Sequence, residues 1–459
     1  DVDAIPNVRT ENTLLKNGMV VKDQNVKGSA EFDWMGFIDK FDWMMPAGFY
    51  YHTMHKPAAV WPHAMKEIRK AAGLGEISPD YEMKGRFDEL FLKADVTVVG
   101  GGAAGIMAAL AASENWLRVV LLEARPFLGG SFDYRVSDNG KGQPLYERAR
   151  ELAEKVEADA NIRVFKHAPL VGTYNNNLIT AHQVGSEADT FTERYIEISS
   201  ESVVVSTGCI ERPLLFDNNE RPGVMQVGCA HRLARTYGIL PGTQAFFSVG
   251  HDMGLEAAVD LFDLGLKIGC VADIREDGQD PDLLMALAER SVPVLKGWVA
   301  AKAHGKIVKK VTLATVEGTV TRDFDCDVLV ASAGLTPVTG PFIMAQAKMG
   351  YDNHTGYFLP TELPAKMFPA GRLNGINHPQ AIEASGRLSG LKAAAACGIS
   401  LNGDLDAAKA AAGALPGPER GCKLVTAPVK GRKSFICFDE DATIKSVKQA
   451  IDKGFDVPE

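Results

Sequence analysis

The sequence predicts an α/β fold of two Rossmann-like dinucleotide-binding halves with N- and C-terminal extensions. Three observations carry this expectation. An apolar strand runs into a glycine turn and a helix at 95–107, a second apolar strand ends on Glu123, and the same layout repeats from residue 245.

The first observation is the most specific. Asp95-Val96-Thr97-Val98-Val99 reads as a buried parallel strand, followed by Gly100-Gly101-Gly102-Ala103-Ala104-Gly105 and a helix to about Ala112. In such a G-x-G-x-x-G turn Gly100 makes the tight bend, Gly102 lets the backbone approach a pyrophosphate, and Gly105 brings the helix close to the strand. The helix N-terminus, with Ala103 and Ala104 in its first turn, then faces the phosphates with unpaired N–H groups and a positive dipole end. The next strand, Arg118 to Leu122, leads to Glu123, 18 residues after Gly105, where an acidic residue bonds the ribose hydroxyls. An acid at this place fits a free 2′-hydroxyl, which favours NAD or FAD over NADP. Ala124-Arg125 and the later Gly129-Gly130-Ser131 follow, the glycine pair again allowing a close backbone approach.

A helix is expected over 144–157, then strands near 162–165, 170–174, 178–182 and 191–198, read as a small antiparallel insertion. Ser202-Val203-Val204-Val205-Ser206-Thr207-Gly208 reads as a later strand of the first sheet, meeting the nucleotide at Thr207 and Gly208. Glu211-Arg212 beyond it reads either as a phosphate contact or as a surface pair. Cys209 reads as a packed small residue in preference to a reactive thiol. In the second half, Ala245 to Gly250 is the strand, but Asp252 and Leu255 stand where the second and third glycines belong. A carboxylate there repels pyrophosphate, so this half is read as fold without ligand. Asp325 to Gly334 is expected to return to the first sheet, followed by Met367 to Arg372 and a small-residue helix from Gln380 to about Cys397. The expected boundaries are an N-terminal interface segment 1–91, a first dinucleotide-binding domain 92–215 with 325–400, a second domain 216–324, and a C-terminal segment 401–459. Thr443 is expected to cap a last helix.

Bulk properties narrow the function classes. A net charge of −9 leaves no basic footprint for nucleic acid. No run of 18 apolar residues or basic-then-apolar leader occurs, which points to a cytoplasmic protein that does not span a membrane. Seven scattered cysteines without a C-x-x-C pair suit reduced thiols and leave no redox disulfide of that type. His52, His55 and His63 have no defensible metal-ligand spacing, and no residue set reads as a catalytic centre. The start at Asp1 and the stop at Glu459 read as the ends of a piece cut from something longer.

Taken with these motifs, several further segments resemble the alpha subunit of heterotetrameric sarcosine oxidases. They are Pro46 to Tyr51, Ile68 to Gly75, Arg221-Pro222-Gly223-Val224-Met225, Tyr237 to Gly242 and Phe438 to Thr443. Related complexes include N-methylglutamate dehydrogenase, dye-linked proline dehydrogenase and hydrogen cyanide synthase. The resemblance implies the two-dinucleotide-binding-domain flavoprotein fold and a place as one subunit of a complex. A beta-type, FAD-containing subunit would oxidise a secondary or N-methylated amino acid, with further, smaller subunits present and FMN near the alpha–beta boundary. This chain would hold a nucleotide, NAD in preference to FAD, on Gly100, Gly102, Ala104, Gly105, Glu123, Arg125, Gly129, Gly130, Thr207 and Gly208. Some relatives carry an iron–sulfur cluster in a cysteine-rich C-terminal segment. Here only Cys437 stands in that region, and a cluster needs about four thiolates, so none is expected. Two other readings stay open: a stand-alone FAD-containing NAD(P)H-dependent reductase, and a non-catalytic scaffold.

Overall fold

The structure is a computed structural model. It describes residues 86–138, 140, 142–186, 188–421, 433–438 and 442–455, with shorter stretches before residue 86, chiefly 15–23 and 58–71. Two compact units divide the chain at Gly85. In the first, the described elements are a small hairpin, Gly28–Ser29 with Phe32–Asp33, and the helix Trp61–Ala71. The aromatic segment 41–52, and with it His52 and His55, lies outside the described residues.

The second unit contains both Rossmann-like halves. Its first sheet is built on β1 (Phe87–Val99). Around it lie α1 (Ala103–Ser113), β2 (Val119–Leu122), α2 (Leu145–Ala158) and β3 (Ile162–Phe165). Then come β4 (Leu170–Tyr174), β5 (Leu178–Val184) and β6 (Glu193–Val205). The spatial order is β3-β2-β1-β6-β5-β4. One difference from expectation is instructive. The segments 191–198 and 202–208 form a single 13-residue strand, paired in parallel with β1 from Phe87↔Glu193 to Val99↔Val205. Its N-terminal half alternates buried Ile196, Ile198 and Ser200 with exposed or half-buried neighbours, because only one face is covered there. Its C-terminal half, Ser202 to Val205, is buried on both faces. Such a change in period reads in sequence as two strands.

The second sheet holds β8 (Val224–Met225), β9 (Gln244–Val249), β10 (Lys267–Asp273), β11 (Val294–Lys296) and β15 (Val328–Ser332) in the order β8-β15-β9-β10-β11. It follows the short β7 (Cys209–Glu211), and α3 (Val227–Tyr237), α4 (Asp252–Asp263) and α5 (Pro281–Glu289) accompany it. Between β11 and β15 runs an antiparallel trio, β12 (Trp298–His304), β13 (Lys310–Thr315) and β14 (Thr321–Asp325). The strand expected to return to the first sheet near 325 is β15, and it pairs with β9 in the second sheet. The crossing back falls after Ser332. An apolar strand ending in glycine fits either sheet equally, so only pairing separates the two. The return itself is made by β19 (Met367–Pro369), past β16 (Leu335–Pro337) and the hairpin β17 (Lys348–Asp352) with β18 (Tyr357–Glu362). β19 joins β6 in parallel, Met367↔Val203 to Pro369↔Val205.

Helices α6 (Pro379–Ala396) and α7 (Asp404–Gly413) close this half. α1 is apolar almost all round and is buried between the sheet, α2 and α6. Its contact with α6 is backbone-close: a Cβ on Gly386 would run into the Ala104 carbonyl oxygen, and one on Gly390 into that of Ala108. The tail helix α8 (Ile444–Asp452) carries the expected Thr443 cap, completed by Ser446 as a capping box. No helix among the described residues is long and apolar enough to cross a membrane.

The two halves are tied by a buried ion pair. Arg135, beyond the first glycine turns, meets Glu256 on α4 at 2.6 Å, and each residue is only 7% exposed. Burial works against the Glu256 charge, but the Arg135 guanidinium outweighs it and holds the carboxyl below its usual range.

This packing can be tested at two points. Gly386→Ala should lower stability by about 1–3 kcal/mol through overpacking, whereas Gly413→Ala, with open space around it, should be neutral or slightly stabilising; urea unfolding of the two variants compares them. Glu256→Gln should cost about 3–5 kcal/mol near neutral pH by leaving Arg135 buried and uncompensated. Since the folded carboxyl titrates below its unfolded value of about 4.5, the wild-type advantage is complete above that pH. It should shrink as pH falls through the folded value, which stability measured across a pH series would show.

Candidate functional site

Where β1, β2 and β6 end together, the chain opens a cavity of about 460 Å³. This is the carboxyl edge of a parallel sheet, where ligands of open α/β folds sit. The turn after β1 shapes its floor. Gly100 has φ +106°, and Ser206 Oγ donates to its carbonyl at 2.8 Å. A Cβ on Gly105 would collide with that same carbonyl, so the glycine is what lets α1 start so close to β1. Gly102 differs from both. A Cβ there would meet only Gly130 Cα, at 3.6 Å, so its side is open and available to a ligand's phosphates.

A second loop leans on this turn. Gly129 N donates to Gly101 O at 2.8 Å, and a Cβ on Gly130, at φ +61°, would press on Gly102 Cα at 2.8 Å. Glu123, buried, accepts from Gly101 N at 2.7 Å and Arg125 N at 2.8 Å. Arg125 in turn donates to Gly130 O at 3.0 Å. The acidic residue therefore also laces the loops after β1 and β2 together.

Of the residues expected at the site, Gly100, Gly102, Ala103, Ala104, Glu123, Ala124, Arg125, Gly130, Ser131, Thr207 and Gly208 all line this one cavity. Gly105 and Gly129 stand behind its wall and shape it. The donor set fits a dinucleotide: open backbone at Gly102 and Gly208, a helix N-terminus, and a carboxylate across the sheet from the turn.

The structure also brings in residues the sequence left unassigned or open. Glu211 stands in the cavity wall and turns its carboxylate to the start of α3. It accepts from Val227 N at 2.9 Å and Gly228 N at 2.5 Å, occupying the N-terminus of α3. Burial raises its carboxyl above the usual range. Arg212 donates instead to the carbonyls of Leu335 and Gly356. The Cys209 thiol donates to Arg372 O at 3.2 Å, and burial pushes it up to about 11, so it packs as a thiol and not a thiolate. Arg372 lines the cavity at 8% exposure, its Nε on Asn377 Oδ1 at 3.2 Å and its Nη2 against Met253 Sδ. No motif marked it, because it gains meaning only when β19 returns beside β6.

The second half presents a different picture. Asp252 is the first residue of α4, and Arg275 joins it at 2.7 Å to the fully buried Asp273 at 2.8 Å. The internal carboxylate thus takes the helix end that a pyrophosphate would use. Gly254, one place before the expected third glycine, makes the close helix–strand contact, with Val249 beneath it. His251 hydrogen-bonds Ser332 Oγ at 2.9 Å, and burial, with Arg372, Arg275 and Arg135 around it, pushes its imidazole down to about 3. Among the described residues no His/Cys/Asp/Glu group has the geometry of a metal site, and the six described cysteines are free.

Comparison with known proteins agrees with this construction. A family model for FAD-dependent oxidoreductases matches residues 95–138, the glycine turn through the second loop, and supports an FAD-type dinucleotide there. The alpha subunit of sarcosine oxidase from Rhizobium meliloti is 30% identical over 282 residues, covering 59% of this chain and 28% of that protein. An opine oxidase subunit from Agrobacterium tumefaciens is 25% identical over 406 residues, 78% of this chain and 79% of that one. This chain thus spans under a third of the sarcosine oxidase protein. Among solved structures, L-proline dehydrogenase from P. horikoshii superposes with a TM-score of 0.65 at 20% identity, over 83% of this chain and 70% of that one. Thioredoxin reductase from T. acidophilum does so with a TM-score of 0.53 at 17% identity, over 66% and 97%; at such identities the likeness is one of fold. The chain is a homologue of sarcosine oxidase alpha subunits, as it is of opine oxidase subunits, built on a Rossmann-type oxidoreductase fold.

Proposed function

We propose that this chain is the nucleotide-binding, alpha-type subunit of a multi-subunit, flavin-dependent oxidoreductase of the cytoplasm. The complex acts on a secondary or N-methylated amino acid such as sarcosine, with the chemistry in a beta-type, FAD-containing partner and FMN at their boundary. The observation that carries this reading is the contrast between the two halves. One glycine turn opens onto a cavity lined by eleven of the thirteen expected contacts, and at the other the Asp252 carboxylate, paired with Arg275, stands at the helix start.

In this reading the first site holds one NAD or FAD. The N-terminus of α1 and the open face of Gly102 receive the pyrophosphate, Glu123 the adenosine ribose, and Thr207-Gly208 the connection to the distal half. Bound there, the nucleotide supplies structural order or redox chemistry that side chains lack. The protein's own part is to bind and orient it and to exclude water. A stand-alone NAD(P)H-dependent reductase is disfavoured, since its second nucleotide would have to displace a carboxylate already paired with Arg275.

The test begins with the intact complex, denatured, with released nucleotides and co-purifying chains identified by mass spectrometry. One NAD or FAD per copy and a second flavoprotein chain are expected; a lone chain that releases FAD and oxidises NAD(P)H would replace this reading with the reductase. In the Glu123→Ala variant the nucleotide retained through purification should drop at least about tenfold, as expected for losing a charged hydrogen-bond acceptor. Unchanged occupancy would remove Glu123 from the site.

A further inference from the structure

The two edges of β1 are covered unequally. On one side β6 pairs with it along its whole length, from Phe87↔Glu193 to Val99↔Val205. On the other side β2 joins only at Val96↔Val119, just after Arg118 O accepts from Asp95 N and Val96 N. Among the described residues no strand pairs with Phe87 to Ala94 on that side. An open edge of this kind offers a row of main-chain N–H and C=O groups to any extended chain. It lies at the amino end of β1, whereas the cavity lies at the carboxyl end, so a strand added here leaves the cavity clear.

The side chains along this edge say which chain fits. The stretch is Glu89-Leu90-Phe91-Leu92-Lys93, with successive residues on opposite faces of the sheet. Leu90 and Leu92 are half-buried against the core that holds Ile196 and Ile198. Glu89, Phe91 and Lys93 stand exposed on the other face, Phe91 at 63%. Natural edge strands use charge, proline or a bulge to repel other strands. Here the charges are placed to attract a copy, because the five residues are their own complement when reversed. With Phe91 set against Phe91 of an antiparallel copy, Glu89 falls opposite Lys93 twice and Leu90 opposite Leu92 twice. Asp88 then meets Ala94 and stays with Arg194 on its own chain, at 2.7 Å. Centring the pair on Leu90 instead sets Glu89 against Phe91 and loses both directly opposed ion pairs.

We propose that the chain pairs with a second copy of itself, edge to edge along β1 and centred on Phe91, joining the first sheets of two molecules into one. The contact is two-fold and isologous, the same patch meeting itself. Main-chain hydrogen bonds between the two β1 edges supply the attraction, as in other strand additions. The aromatic pair, the two Glu89–Lys93 pairs and the leucines on the core face fix the register. An unrelated strand would have to bring the reversed pattern of base, apolar, aromatic, apolar and acid, which this chain already carries.

The test uses the full chain in sedimentation velocity over a concentration series, with a reversible dimer expected. Glu89→Lys and Lys93→Glu each set like charges opposite one another twice and should raise the dimer dissociation constant about tenfold. The double variant Glu89→Lys/Lys93→Glu restores opposite charges and should return close to the wild-type value, which a merely misfolded chain would not do. Phe91→Cys, mildly oxidised, should link two copies at position 91, since Cα atoms facing each other across an antiparallel pair lie within disulfide range. Mass spectrometry of the linked peptide reads this. A monomeric wild type overturns the proposal. So do single reversals that dimerise as well as the wild type, or a double variant that stays as weak as the singles. A link from position 91 to a different chain also overturns it and gives the edge to a partner's strand.

Discussion

The close approach of three backbone segments at the start of α1 is the constraint on which the rest of this molecule depends. The turn after β1, the first turns of α1 and the middle of α6 come together with almost no side chains between them. Gly100 and Gly105 permit the first contact, and Gly386 and Gly390 the second. A helix held this near the sheet directs its unpaired N–H groups at the carboxyl edge, where β1, β2 and β6 end. The loops carrying Glu123 and Gly129-Gly130 then brace against the same turn by hydrogen bonds to its backbone. The open cavity at this edge is thus a by-product of close packing, because the glycines needed for packing carry no side chains to fill it.

The second half shows what the same architecture becomes when a carboxylate stands at the helix start. Its strand, turn and helix are intact, and Gly254 still makes the close contact with Val249. Asp252 nevertheless places a carboxylate on the helix N-terminus, and Arg275 binds it to the buried Asp273. The favourable interaction between a helix dipole and an anion is satisfied from within. This domain contributes in another way. Glu256 of α4 reaches the Arg135 segment of the first half, and Met253 of the same helix meets Arg372 in the cavity wall. It supplies part of the wall of the neighbouring cavity.

Ion pairs recur at and behind this junction. Glu256 answers Arg135, Asp273 and Asp252 answer Arg275, and Asp260 answers Arg235 and His231. Most guanidiniums here are matched by carboxylates, and those pairs are structural. Arg372 departs from that pattern: it lines the cavity and bonds to Asn377 and Met253. Homology to sarcosine and opine oxidase subunits places this chemistry among oxidoreductases.

Local sequence determined the elements whose physics is local. The glycine turn, the strand into it, Glu123 at the end of the next strand, the Thr443 cap and the small-residue α6 were all legible, since each rests on spacing or on a backbone conformation a few residues wide. Eleven expected contacts meet in one cavity for that reason. Tertiary structure alone decided matters that depend on which surfaces meet. The long strand β6 hid behind a change from one-sided to two-sided burial. The strand at 328–332 fits either sheet by composition, and its partner β9 assigned it to the second. Glu211 and Arg212, adjacent in the chain, went to a helix end and to the carbonyls of Leu335 and Gly356, more than a hundred residues on. Arg372 became a cavity residue only because β19 lies beside β6. Periodicity and motif spacing record what a segment does with its own neighbours, whereas charge balance in a buried pocket is a sum over segments far apart in sequence, and only the folded chain performs it.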